Sequence, residues 1–394
     1  MVSNPGFSFT NINGKYKIVP IDKTDFFDVD PLYSEAIVCE EVGDLETIYS
    51  EDKVVTKDSD SIAFQFAKIN ISRNTEIIEF CSRYGLIMSE RNFANFRNDY
   101  LFFESKKDEF TKRIPLVHKE RDRLTDIKKS IIAMRYTLEL SQAIKEHDFE
   151  AIIKIITYFC FDLTNHFSSP DAQCATELYR FNRDFRCYCD ECGYEAFNYK
   201  EINFTLAVTA FLAELEHDEF IEKLWYANGQ PYRRRHIDYD YTEWRHIKGL
   251  FEDILSQTEL IIVEPFGEVK FSKPLSEITI FKQLQEKNLL NLAKAVLSDL
   301  FKEKLHTVYP EIQIENGKQI ASWRIPTLLD AMYLELFFRF SPTGQVKRCA
   351  DPSCDGFFTW TPSRPTQKYC CNECALRVAK RRQRQRDANK QSLT

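Results

Sequence analysis

The chain predicts a mainly α-helical fold with a minor β component, an α+β N-terminal part and a small metal-centred module at its C-terminus. Three observations lead there. Apolar residues recur at three- and four-residue spacing through much of residues 74–340, short strand-like runs gather in the first 70 residues, and four cysteines near the C-terminus form two short pairs.

The elements follow in order. Tyr16 to Val19, Ala36 to Cys39 and Ile62 to Phe66 are apolar runs set among Gly, Asn and Asp, and they read as strands or extended segments. Helices are expected over 74–86 and about 126–168, the latter a pair broken near Glu146-His147-Asp148. Further helical periods cover 199–226, 244–257, 280–307 and 325–340. A strand pair is expected at Leu260 to Val263 and Val269 to Phe271, with Pro265-Phe266-Gly267 at the turn. Ser341-Pro342-Thr343-Gly344 then ends the last helix, because Pro followed by Gly does not continue one. The organisation this implies is an N-terminal segment (1–70), a helical body (71–340) able to serve as a sensor or partner domain, and the terminal module (345–394) leaning on helix 325–340.

Composition bounds the class. With 394 residues, 43% hydrophobic and 29% charged, the chain can bury one large core or two ordinary ones. No apolar run reaches the 18 or so residues that span a bilayer, so no membrane partner is expected. Met1-Val2-Ser3-Asn4-Pro5-Gly6 lacks the basic-then-apolar pattern of a secretory signal. The cytoplasm is the expected compartment, with the twelve cysteines as reduced thiols or metal ligands.

Cys349 and Cys354 are spaced C-x4-C, and after fifteen residues Cys370 and Cys374 follow as C-x3-C. Zn2+ takes four thiolate or imidazole ligands in a tetrahedron, and two short pairs joined by a loop supply them at little closure cost. Pro352, Ser353 and Gly356 favour the turn of a metal knuckle. Phe357, Phe358 and Trp360 suit a hairpin, and Ala375 to Ala379 suit a helix start, so the module reads as treble-clef-like. Cys371 is a fifth thiol, and Cys371-x2-Cys374 could chelate as well as Cys370-x3-Cys374.

Charge divides the chain at the same place. Residues 345–394 carry 11 Lys and Arg against 4 Asp and Glu, a net of +7, while the whole chain is −7, which leaves about −14 on residues 1–344. Arg377, Lys380, Arg381, Arg382, Arg384 and Arg386 follow the last cysteine, with like charges repeated at i, i+4. A basic helix growing from a metal module meets phosphates favourably, whereas the acidic body repels them.

Other clusters are less specific. Cys187, Cys189 and Cys192 fall as C-x-C-x2-C with Cys174 upstream, beside Asp190 and Glu191, and could hold a second zinc ion, act as redox thiols, or be ordinary buried cysteines. Arg233, Arg234 and Arg235 stand among Tyr232, Tyr239, Tyr241 and Trp244, a mixture that tracks single strands, but Asp238, Asp240 and Glu243 cancel much of the charge. No phosphate-cradling glycine pattern and no hydrolase or zinc-protease motif occurs, which favours a binding protein over an enzyme. His217-Asp218-Glu219 and His236-Ile237-Asp238 are the only close titratable groups that invite a catalytic reading, and such neighbours are common on any charged surface.

Arg348-Cys349 to Cys354, Lys368-Tyr369-Cys370 to Cys374, and the Arg-rich run from Arg377 together resemble the CGNR-type zinc finger at the C-terminus of bacterial proteins with an ABATE-like helical body. The resemblance covers about 45 residues. Tyr369-Cys370 matches the family's aromatic-Cys step, which favours Cys370 as third ligand, while Cys374-Ala375-Leu376-Arg377 keeps the first and last letters of the signature. What the resemblance implies is a DNA-binding transcription regulator in which Cys349, Cys354, Cys370 and Cys374 hold zinc. DNA is thus expected over RNA as partner. RNA binding or processing, or a zinc-stabilised protein-interaction module of a stress or defence assembly, are the competing expectations.

Overall fold

The computed structural model describes residues 7, 9–20, 35–49, 61–88, 121–161, 176, 178, 181–182, 185, 188–189, 204–214, 224–227, 230–233, 242–262, 269–278, 286–315, 318–340, 345–354, 356–360 and 366–391. Helix predominates among them, with several short antiparallel strand pairs. Two compact units arise: residues 1–142 with 304–394, and residues 143–303.

The first unit opens with strands β1 (Phe9–Pro20) and β2 (Glu35–Tyr49), paired antiparallel with three register shifts. β3 (Arg121–Arg123) extends this sheet on the β2 side through Ala36 to Val38. Helices α1 (Ile62–Lys68) and α2 (Asn74–Tyr84) follow β2. The strand expected at Ile62 to Phe66 is therefore a helix. Ile62, Ala63, Phe64, Phe66 and Ala67 are all buried, so no alternation of faces exists, and the Ser61 hydroxyl caps the first turn by accepting from the Phe64 N–H at 3.2 Å. α2 ends at Gly85, whose φ of 88° favours glycine, and the buried Asn11 amide of β1 donates to the Tyr84 and Leu86 carbonyls just there. Asp122 of β3 accepts from the N–H groups of Ile87 and Met88, fixing the chain as it leaves α2.

Helix α3 (Leu124–Glu146) breaks from α4 (Phe149–Phe161) where expected. His147 takes φ 56° and the Asp148 carboxylate accepts from the Ala151 N–H, so a left-handed residue and an N-cap together make the break. α4 belongs to the second unit, as do α5 (Phe204–Glu214), strands β4 (Leu224–Ala227) and β5 (Gln230–Arg233), α6 (Thr242–Leu255), strands β6 (Leu260–Ile262) and β7 (Lys270–Phe271), and most of α7 (Glu286–Leu305). Residues 224–226, expected to close a long helix, instead pair as β4 with β5. The core of this unit is aromatic: Phe161 meets Phe185 and Phe251 edge-on at 5.0 and 4.8 Å, and Phe211 packs on Phe181, Phe185 and Tyr188.

The chain returns to the first unit with the hairpin β8 (Tyr309–Glu315) and β9 (Lys318–Arg324), which the helical periods around it had hidden. α8 (Leu328–Arg339) carries a capping box between Thr327 and Asp330. On its inner face Glu335 is 2% exposed and accepts from Tyr49 Oη, Ser61 Oγ, the Ala63 N–H and Arg339 Nε. This one carboxylate joins β2, α1 and α8. Among the described residues, no helix is long and apolar enough to cross a membrane.

Candidate metal centre

After α8 the last elements are strands β10 (Gln345–Arg348) and β11 (Phe357–Trp360), paired from Gln345–Trp360 to Arg348–Phe357, and helix α9 (Asn372–Gln391). The loop closing the β10–β11 hairpin carries Cys349 and Cys354, while Cys370 precedes α9 and Cys374 lies in its first turn. Hydrogen bonds hold the loop: the Cys349 N–H donates to the Gly356 carbonyl at 2.8 Å, the Cys354 N–H to the Asp351 carbonyl at 2.9 Å, and the Ala350 N–H to the Lys368 carbonyl at 2.9 Å. The last of these brings the two cysteine pairs together.

All four sulfurs lie within 4.8 Å of one another, and the group could hold a metal ion. The Cys370 sulfur stands 3.7 Å from those of both Cys354 and Cys374. A tetrahedral zinc site with Zn–S bonds of about 2.3 Å puts its sulfurs about 3.8 Å apart, so the donor set fits that ion. N–H groups point at the sulfurs, from Gly356 to Cys354 at 3.4 Å and from Cys370 to Cys349 at 3.5 Å. Such donors stabilise thiolates. Gly356 has to be small, because a Cβ there would come within 3.2 Å of the Cys354 sulfur and 3.4 Å of the Cys370 sulfur.

The thiols alone are in electrostatic conflict. Burial and the neighbouring thiols push Cys370 well up and Cys374 to about 12. Burial opposes ionisation of Cys354 as well, yet the Gly356 N–H and the adjoining thiols bring it below its ordinary value. Four thiolates become compatible only around a central cation. Cys371 differs from the other four: it is exposed, although its sulfur is 3.4 Å from that of Cys374. The tetrad that closes on a common centre contains Cys370.

Sequence reading missed Asp351. Its side chain is fully buried and accepts from Arg377 Nε at 2.8 Å and from the Ser353 N–H and hydroxyl at 3.1 and 2.9 Å, with Arg381 Nη2 at 3.7 Å. Burial works against the charge, but the Ser353 and Arg377 hydrogen bonds prevail and hold the carboxyl near 2. Arg377 also donates to the Cys374 sulfur at 3.0 Å. Two of the six expected phosphate-binding cations are thus tied to the knuckle. The available signal was the Asp351-Pro352-Ser353 turn, which suits a side chain that bonds its own backbone two residues on. Lys380, Arg382, Arg384 and Arg386 are exposed along α9, whereas Cys374 and Val378 are buried beneath it.

Within the first unit the module packs on α1 and α3. Phe357 and Phe358 are buried, Phe64 of α1 lies 6.4 Å from Phe357, and Arg348 bonds Glu139 at 3.0 Å while its N–H donates to Gln142. Helix 325–340 was expected to carry it. The aromatic packing goes instead to α1, which in turn packs on that helix.

Of the second cysteine cluster, Cys189 is buried in a helical position beside the aromatic core of the second unit, and Cys174, Cys187 and Cys192 lie outside the described residues. Arg234, Arg235, His217 and His236 also lie outside them, and Arg233 ends β5. No family model matches the chain, and no curated protein or solved structure matches it.

Proposed function

We propose that the chain is a zinc-dependent nucleic-acid-binding protein whose C-terminal module is a treble-clef-like finger that docks α9 on duplex DNA, as a transcription regulator does. Zinc would be held by Cys349, Cys354, Cys370 and Cys374. The observation that carries the reading is the pairing of a metal-compatible tetrad with a helix that it anchors by the first turn and whose outer length is cationic. The knuckle in a hairpin and the ligand-bearing helix follow treble-clef logic, and the likeness to CGNR-type fingers supports DNA as the polyanion. The −14 charge of residues 1–344 leaves the finger as the favourable approach.

Because Arg377 and Arg381 are engaged by Asp351, three or four phosphates are the expected contact set. Each phosphate contact contributes about −0.9 to the slope of log affinity against log salt, so the slope on duplex DNA should be about −3 to −4. The test joins zinc quantification on the full chain to a salt-series binding assay. One zinc per chain with that slope is expected, and Cys349→Ser should lose both zinc and binding. Absence of salt-dependent affinity for any nucleic acid would leave a protein-interaction role, and tighter binding to single-stranded RNA would replace DNA with RNA.

A further inference from the structure

The exposed side of α9 is not uniformly basic. Leu376 is 61% exposed in the first turns of the helix, an apolar side chain among cationic ones. At about 100° per residue, Leu376, Lys380 and Gln383 fall within about 60° of one another, opposite the buried Cys374 and Val378. Arg384 falls on one flank with Arg377 and Arg381, and Arg382 and Arg386 fall on the other. All three ridge residues are exposed. The helix therefore presents an apolar, an ammonium and a carboxamide group in a row, with guanidinium groups to either side.

Resting on the nucleic-acid reading above, we propose that α9 is a sequence reader: Leu376, Lys380 and Gln383 face base edges in the major groove of duplex DNA while Arg384 on one flank and Arg382 and Arg386 on the other hold the phosphates of the two strands. A phosphate-only surface has no use for Leu376 at the centre of the exposed face. The major groove does, because it displays the thymine methyl group beside acceptors and donors that Lys and Gln can read. Leu376 to Gln383 spans about 10 Å of helix, matching about three base-pair steps of 3.4 Å. Apolar contact suits thymine, Lys suits guanine O6 and N7, and Gln suits adenine N6 and N7. The charge of the flanks fits a duplex, whose phosphates run along both sides of the groove.

The test is selection by the full zinc-loaded chain from duplexes with a randomised central segment, followed by competition binding with Leu376→Ala and Gln383→Ala. The wild type should enrich a motif about three base pairs long. Each variant should keep its zinc and its thermal unfolding, and should lose preference at one position by about fivefold or more. Salt-dependent duplex binding with no enriched motif, or a motif unchanged in both variants, would overturn this inference and leave the proposed function standing. No duplex binding, or preference for single-stranded RNA, would remove both.

Discussion

Glu335→Ala should destabilise the first unit strongly. Glu335 and Arg339 are 2% and 7% exposed, and their bond is 2.7 Å long. Truncating the carboxylate removes an ion-pair partner of the buried Arg339 guanidinium, which lies 5.2 Å above the Phe64 ring. It also removes the acceptor of the Tyr49 and Ser61 hydroxyls, at 2.7 and 2.6 Å. Removing one partner of a buried ion pair costs about 3–5 kcal/mol, and that should be the loss here. Replacing both partners, as Glu335→Leu with Arg339→Met, should cost less than the two single changes together, because the ion pair is removed whole and only the Tyr49 and Ser61 hydroxyls and the Ala63 N–H lose their acceptor. Urea unfolding of the zinc-loaded full chain, followed by circular dichroism, measures each arm of the cycle. The reasoning fails if Glu335→Ala costs less than about 1 kcal/mol, the level of an exposed pair, or if the double variant loses as much as the two single ones together.

Three further outcomes are expected. Cys370→Ser should lose the zinc stoichiometry that Cys371→Ser retains, as metal analysis of the two purified variants will read, since the tetrad closes on Cys370. Burial pushes the Asp330 carboxyl to about 6 despite its hydrogen bonds with Thr327. The unfolded carboxyl titrates near 4, so the folded state binds the extra proton between these values, and unfolding free energy should fall by up to about 3 kcal/mol as pH rises from about 4 to 6; Asp330→Asn should flatten that decline in parallel urea titrations. Asp351→Asn should release Arg377 and Arg381, which are held at 2.8 and 3.7 Å, and so change the salt slope on duplex DNA, whereas an unchanged slope would show that Asp351 does not restrain these two cations.

Local patterns were legible and distant partners were not. The break at Glu146-His147-Asp148 was readable because polar residues interrupt two apolar periods, and His147 and Asp148 make it. The cysteine tetrad was readable from spacing alone, apart from the choice between Cys370 and Cys371. α1 was misread as a strand because a fully buried helix only seven residues long shows no period, and the deciding signal was one hydroxyl at Ser61. The β8–β9 hairpin had a turn signal in Asn316-Gly317, overshadowed by strong helical periods before and after it. The bond from Tyr49 to Glu335 spans 286 residues and the one from Arg377 to Asp351 spans 26, and no periodicity reports such contacts.

Where the terminal module packs bears on how it works. Ser341 to Gly344 reads as a linker in the sequence, and beyond it Phe357 and Phe358 are buried, with Phe357 packed on Phe64 of α1. A module of about 45 residues has too little apolar surface to fold unaided, and borrowed packing, with a metal at the tetrad, would supply the remainder. Phe64 of α1 meets both neighbours, since Arg339 lies over its ring and Phe357 packs against it in a tilted pair. α9 depends on this arrangement. Its like charges at i, i+4 oppose helix formation, and the forces that offset them act in the first turns: Cys374 in the cysteine tetrad, Val378 in the core, and Asp351 against Arg377 and Arg381. Beyond Arg381, residues 382–386 are all exposed, so that stretch is presented by the anchored end instead of by packing of its own. A metal at the tetrad would therefore do more than close a loop: it would set the direction in which the cationic face projects, while the packing on α1 sets where the tetrad sits.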